Sequence, residues 1–91
     1  MNNQIFQVDP EASTGIHEGG MVILHLGQGR LYRCNSTGAR IWRGVEQRLP
    51  VGAIAEQVSG EFQIARGTAL EHTVRFLVEL ERHTLIHRSV Q

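Results

Sequence analysis

The segment from residue 29 to residue 49 constrains the fold more than any other part of this chain. A short β-prone run, residues 30–34, leads without a linker into Asn35. Asparagine is a favoured helix N-cap because its side-chain oxygen accepts a backbone N–H of the first turn. In the helix that follows, apolar residues recur every four positions, at Ile41, Val45 and Leu49, with Trp42 beside the first. A strand that enters a capped helix directly sets the angle between a sheet and a helix.

Two other β-prone segments precede this junction. Ile5, Phe6 and Val8 suggest a first short strand, and residues 21–26 (MVILHL) suggest a second. The turn at residues 27–29 (GQG) joins the second strand to residues 30–34, in which Tyr32 and Cys34 share one face. Residues 11–20 are rich in turn-forming residues and are interpreted as an exposed loop. The pattern predicts a three-stranded antiparallel sheet with the segment 30–34 at its edge.

Two amphipathic helices are predicted after Pro50. The first has its apolar residues at helical spacing between residues 51 and 62, and the second runs from about residue 68 to residue 82. The core face of the second is formed by Ala69, Thr73, Phe76, Leu77 and Leu80. Three more apolar residues widen that face along one flank, namely Leu70, Val74 and Val78. We therefore expect one α+β domain over residues 1–91, with strands at about 4–34 and helices at about 35–83.

The composition of the chain argues against several classes of function. Nine arginines, no lysine and nine acidic residues give a formal charge of zero, which argues against nonspecific binding to nucleic acid or anionic lipid. One cysteine permits no internal disulfide, and no apolar run approaches the roughly 20 residues of a membrane span. We expect a cytoplasmic domain that makes no membrane contact.

No residues stand in a pattern typical of catalysis, cofactor binding or metal binding. Cys34 precedes a helix N-terminus, which favours a nucleophile, but its alternation with Tyr32 favours a small buried side chain. His83 and His87 are four residues apart without a visible third metal ligand. His17 is interpreted as a loop residue and His25 as an exposed strand residue.

The order of three strands and three helices resembles the PqqD-like family, also called RiPP recognition elements. The resemblance runs from about residue 20 to residue 86, and its most specific part is GRLYRCNSTGARIW, residues 29–42. The Ile41–Trp42 pair is similar to the stand-alone members that serve lasso-peptide pathways. The chain departs from the family pattern at Cys34, where leucine is usual, at His72–Thr73, where Asp-Val is common, and at Thr84, where glycine often closes the last helix.

This resemblance implies a non-catalytic, winged helix-turn-helix-like module that binds the leader of a ribosomally made precursor peptide. The leader would lie as an added antiparallel strand and be delivered to a leader peptidase or another modifying enzyme. The implied peptide-binding residues are Arg30, Leu31, Tyr32, Arg33, Cys34, Leu70, Val74, Leu77 and Val78. Which flank of the last helix faces the leader stays open, because His72, Arg75 and Glu79 line the opposite rim.

Two other functions remain as alternatives. A winged-helix fold suggests DNA binding as one alternative, although the positive charges of the arginines in the last helix are balanced by its glutamates. A structural adaptor that joins two proteins without binding a peptide would have a covered edge strand. A homodimer formed by pairing of edge strands is also compatible with the pattern.

Overall fold

A three-stranded antiparallel sheet followed by three helices forms the α+β framework of the chain, as the sequence predicts. The computed structural model describes residues 2–18 and 20–89. Its elements in chain order are the strands β1 (Phe6–Val8), β2 (Ala12–His17), β3 (Gly20–His25) and β4 (Arg30–Cys34), the helices α1 (Ser36–Glu46), α2 (Val51–Phe62) and α3 (Arg66–Arg82), and the strand β5 (Ile86–Arg88).

The membership of the sheet differs from the expectation. Its strand order is β2-β3-β4, and β2 lies in residues 11–20, for which the sequence predicts an exposed loop. The expected first strand is β1, which instead pairs with β5 in a separate two-stranded sheet. All of β2 except Ala12 is exposed, so β2 has no buried face to impose an alternating apolar pattern. Its pairing with β3 is therefore visible only in three dimensions.

Helix α1 begins and packs as its sequence indicates. The Asn35 Oδ1 atom accepts the backbone N–H of Gly38 at 2.8 Å, which is the predicted N-cap. Ile41, Trp42 and Val45 are buried in the core. A Cβ atom on the neighbouring Gly44 would lie 2.6 Å from Ile54 Cγ1, so the missing side chain lets α1 and α2 approach closely.

The start of α2 is completed by the N-terminal segment of the chain. Pro50 is its N-cap and provides no side-chain hydrogen bond. The backbone N–H groups of Val51 and Gly52 instead donate to the carbonyl oxygens of Gln4 and Asn2, at 3.0 and 2.9 Å. Because the first N–H groups of a helix have no partner inside it, these bonds anchor the N-terminal segment to α2.

The end of α3 contains a residue in a conformation that suits glycine better. Thr84 has φ of +62°, in the left-handed region. Its N–H donates to the Glu81 carbonyl and the Leu85 N–H donates to the Leu80 carbonyl, which is the Schellman arrangement. A β-branched residue is strained at this φ. Thr84 is also the position at which the resemblance indicates glycine.

We expect Thr84→Gly to raise the free energy of unfolding by about 0.5–1 kcal/mol, because it removes the strain of a left-handed β-branched residue. Urea denaturation followed by circular dichroism would measure the change. Thr68→Gly is the matched control, since Thr68 is an exposed residue inside α3. Glycine there should lower stability by up to about 1 kcal/mol. A loss of stability in both variants would contradict the assignment of strain to Thr84.

Candidate functional site

Strand β4 forms one edge of the three-stranded sheet. It pairs with β3 in antiparallel register, from Met21 opposite Cys34 to His25 opposite Arg30. Within the described residues, no strand lies on its other side. In an antiparallel pair, alternate residues direct their N–H and C=O groups away from the partner strand. Strand β4 therefore presents a row of main-chain donors and acceptors that another extended chain can use.

The side chains of β4 alternate as predicted. Tyr32 and Cys34 are half-buried and pack against the core, while Leu31 and Arg33 are exposed on the opposite face. Arg30 shares the face of Tyr32 because it lies two residues earlier. One face of β4 is thus directed toward the helices, and the other toward solvent.

An apolar cavity lies where β4 ends and α1 begins. It has a volume of about 390 Å³ and is open to solvent between α1 and α3. This volume is within the range of small ligand sites, about 300–1,000 Å³. Its lining residues come from the N-terminus of α1 and from one flank of α3, namely Asn35, Thr37, Gly38, Ile41, His72, Arg75, Phe76 and Glu79.

Phe76 and Gly38 set the depth of this cavity. A Cβ atom on Gly38 would lie 3.0 Å from the Phe76 Cζ atom, so the absence of a side chain lets the aromatic ring reach the α1 backbone. Phe76 is half-buried and also packs against the core. The ring therefore belongs both to the core and to the cavity wall, although the sequence analysis assigned it to the core alone.

The predicted binding residues of α3 do not line this cavity. Leu77 is fully buried and has no surface to offer a ligand. Leu70 lines a different cavity, beside Asn2, Asn3 and α2. Val74 is half-buried against the core, and Val78 is 37% exposed. With about 100° between successive helix residues, Val74 and Phe76 are about 160° apart around the helix axis.

The flank of α3 that meets the β4 side carries His72, Phe76, Glu79 and His83. Their spacing of three and four residues is helical, but its mixture of aromatic, acidic and basic side chains gave no apolar stripe to detect. The structure brings His83 of this rim into contact with Tyr32 of β4, whereas Leu70 lines a different cavity.

We call the surface along β4 and α3, from the apolar cavity to the contact between Tyr32 and His83, the groove. At the end that lies away from the cavity, the β3–β4 turn, β4 and α3 contact one another. The Tyr32 hydroxyl donates to Gln28 Oε1 at 2.6 Å, and Gln28 Nε2 donates to the His83 carbonyl oxygen at 2.7 Å. The rings of Tyr32 and His83 are 5.2 Å apart between centroids. Gln28 and His83 were absent from the predicted site because their contact depends on the packing of distant segments.

The Cys34 thiol is a packing group in this arrangement. It is half-buried, and burial raises the pKa of Cys34 above its ordinary value. A raised pKa keeps the thiol protonated, whereas a nucleophilic cysteine needs a stabilised thiolate. The preference for a small buried side chain therefore agrees with the structure.

His25 is buried, so its interpretation as an exposed strand residue is wrong. Its Nε2 lies 3.2 Å from Asp9 Oδ1, and His87 Nε2 lies 2.6 Å from Asp9 Oδ2. The hydrogen bond with His87, followed by the one from the Glu11 backbone N–H, lowers the pKa of Asp9. These contacts join β3 and β5 through the segment between β1 and β2. His17 also differs from its interpretation, because it lies in β2.

Asp9, Glu11 and His25 are also close enough to suggest a metal site, with ligand atoms within 4.8 Å of one another. The backbone N–H of Gln28 donates to His25 Nδ1 at 3.2 Å. A neutral imidazole that accepts at Nδ1 carries its proton on Nε2 and has no lone pair there for a metal. We therefore assign this cluster a structural role. His83 and His87 do not share a helical face, since α3 ends before His83 and His87 lies in β5.

The charges of α3 are largely paired within the protein. Arg75 bonds Glu71, Arg82 bonds Glu79, and Glu81 bonds Arg88, with the closest atoms of each pair 3.0 Å apart. A helix that reads DNA needs net positive charge to contact phosphates. This surface therefore gives no support to DNA binding. None of the described helices has the length and apolar character needed to cross a membrane.

The comparison with protein families decides the classification. The model of the family described as coenzyme PQQ synthesis protein D (PqqD) matches residues 20–86. The chain belongs to the PqqD family. The matched part of this PqqD-family protein extends from β3 into β5 and includes the whole groove. No curated protein sequence matches the chain.

Two solved structures share the fold of this PqqD-family chain. One is described as TbiB1 in complex with the TbiA(beta) leader peptide, with 21% sequence identity and a TM-score of 0.82 over 93% of this chain and 99% of that chain. The other is described as lasso peptide synthetase B1 complexed with the leader peptide. It has 22% identity and a TM-score of 0.83 over 90% of this chain and 96% of that chain.

Proposed function

We propose that this PqqD-family protein binds the leader of a ribosomally made precursor peptide as an extra antiparallel strand on β4. The observation that carries the proposal is the outer edge of β4, which has no partner strand among the described residues. This strand leads into an apolar cavity at Asn35 and directs one face toward the helices. The shared fold of two proteins whose structures contain leader peptides supports it.

In this arrangement, affinity and specificity would come from different groups of the protein. Main-chain hydrogen bonds to β4 supply affinity for any extended peptide, and side chains at alternate positions of that peptide enter pockets. The cavity lined by Ile41 and Phe76 would receive an apolar leader residue, because its lining is mainly apolar and a buried polar group without a partner is costly. Specificity would thus arise from the side chains that line the pockets, and not from the main chain of β4.

The protein would act without catalysis of its own. Holding the leader raises the effective concentration of the attached core peptide near a leader peptidase or another modifying enzyme, in a lasso-peptide or related pathway. A cytoplasmic location would suit a protein that receives peptides directly after translation. A homodimer paired through β4 would occupy the same edge, so leader binding should dissociate it.

A synthetic leader from the short open reading frame nearest this gene tests the proposal. We expect fluorescence polarisation to give a dissociation constant in the micromolar range or tighter, and hydrogen exchange to show new protection of β4 amides. The β2 edge, which is the other edge of the sheet, serves as the internal control and should remain unprotected.

A fluorescent DNA duplex of random sequence is the second control and should not bind at physiological salt. Absence of leader binding by the folded protein would overturn the proposal and favour an adaptor. Protection at β2 instead of β4 would show that the peptide-binding edge was assigned wrongly.

A further inference from the structure

The groove has a second recognition element at the end farthest from the apolar cavity. A shallow depression there lies between the β3–β4 turn, β4 and the end of α3, and its lining residues are Gln28, Arg30, Tyr32, Arg82, His83 and Thr84. This lining contains two arginines and one histidine but no carboxylate. It therefore differs in chemistry from the largely apolar cavity beside α1.

Arg30 is the arginine of this depression whose charge is not paired with a carboxylate of the described residues. Arg82 bonds Glu79, which lies one turn earlier on α3, and the His83 ring is 3.7 Å from the same carboxylate. Arg33 of β4 lies on the opposite face and is 3.8 Å from Glu18. Among the described residues, Arg30 has no carboxylate within ion-pair distance, and it is exposed.

The register of an added strand fixes the number of leader residues between the two ends of the groove. Arg30 and Cys34 are four residues apart on β4 and share one face. Directly opposed residues of an antiparallel pair also share a face, with Cβ atoms about 4.5–5.5 Å apart. Because the added chain runs antiparallel, its residue opposite Arg30 comes four positions after its residue opposite Cys34.

From this geometry we infer that the preferred leader carries an aspartate or glutamate four residues C-terminal to its apolar anchor, and that Arg30 selects it. The inference rests on the proposed function and adds a chemical requirement to it. The anchor enters the cavity next to Asn35, and the carboxylate meets the Arg30 guanidinium, which binds carboxylates through paired N–H donors. Like charges opposed across strands are unfavourable, so lysine or arginine at that leader position is selected against.

An mRNA-display library of random peptides of about twelve residues tests the inference without knowledge of the precursor. Peptides that bind are selected from it separately with the immobilised wild-type protein, Arg30→Glu and Arg43→Glu. Arg43 is exposed on α1 and lines neither end of the groove, so its reversal changes net charge equally without touching the proposed contact. Circular dichroism confirms that each variant is folded.

We expect wild type and Arg43→Glu to enrich peptides with an acidic residue four positions after an apolar one, and Arg30→Glu to enrich a basic residue there. For a synthetic peptide from the wild-type pool, Arg30→Glu should weaken binding roughly tenfold at low salt and less at high salt. The inference is wrong if the peptides selected by wild type show no preference for an acidic residue at that position. It is also wrong if the peptides selected by Arg30→Glu keep that preference. Enrichment of no peptide on any variant would overturn the leader-binding proposal itself.

Discussion

Trp42→Ala is expected to lower the free energy of unfolding by about 3–5 kcal/mol, the cost typical of truncating a large core residue. Trp42 is completely buried in α1 and belongs to the core cluster that also includes Phe6, Ile23 and Ile54. Alanine would leave a cavity between the sheet and the helices. Because the free energy of unfolding of a native domain is only about 5–15 kcal/mol, the variant should be only marginally stable.

Two comparison variants separate lost packing from other causes. Trp42→Phe keeps most of the aromatic volume and removes an indole N–H that has no hydrogen-bond partner among the described residues, so it should cost clearly less than alanine. Leu26→Ala truncates a residue that is 67% exposed and should change stability by no more than about 0.5 kcal/mol. Urea unfolding monitored by far-UV circular dichroism would rank the three. A Trp42→Ala loss as small as that of Leu26→Ala would contradict the core assignment.

Local chemistry explains why much of the framework could be predicted from the sequence. The turn at residues 27–29, the alternation in β4 and the Asn35 cap are each determined by neighbouring residues, and all three occur as expected. The apolar stripes of α2 and α3 largely match their buried faces. Ile41 and Val45 of the predicted α1 stripe are buried, whereas Leu49 lies beyond the end of α1. Features of this kind depend only on the residues of one segment and their spacing, so they can be predicted from a single sequence.

Pairing between distant segments explains what could not be predicted. Strand β2 is an exposed edge without apolar alternation, and β1, although predicted as a strand, pairs with β5 at the far end of the chain and not with the three-stranded sheet. His25 shares the face of β3 that carries the buried Ile23, and its polar side chain is accommodated there because Asp9, from a distant segment, lies 3.2 Å from its Nε2. No local pattern reports such contacts.

The candidate site shows the same division. The alternation of β4 was predictable because a strand has a two-residue period. The flank of α3 was not, because periodicity identifies apolar residues without telling which neighbour covers them. Leu70 and Val74 formed the more apolar flank, but they lie toward α2 and the core, whereas the mixed flank with Phe76 lines the groove.

Phe76→Ala is therefore expected to reduce leader affinity about thirtyfold, equivalent to roughly 2 kcal/mol of binding free energy. The ring forms one wall of the cavity beside Gly38, and aromatic residues in binding pockets are common hot spots. Alanine would remove apolar contact area where the leader anchor is proposed to lie, while the main-chain edge of β4 stays intact. Titration of a labelled leader by fluorescence polarisation would measure the loss.

Val74→Ala is the matched control for this experiment. Val74 and Phe76 are both half-buried on α3 and both pack against the core, so both truncations should lower stability. They differ in the surface that they alter, because they are about 160° apart around the helix. Val74→Ala should leave leader affinity within about twofold of wild type. Thermal melts of both variants would show that each is folded at the temperature of the titration.

The outcome distinguishes between the two flanks of α3. A loss of affinity in Phe76→Ala alone supports the groove formed by α1, α3 and β4. A loss in Val74→Ala alone would place the leader on the flank of Leu70, Val74 and Val78. Normal affinity in both variants, with β4 amides still protected on binding, would mean that main-chain pairing provides nearly all of the affinity. Specificity would then have to arise at the Arg30 end of the strand.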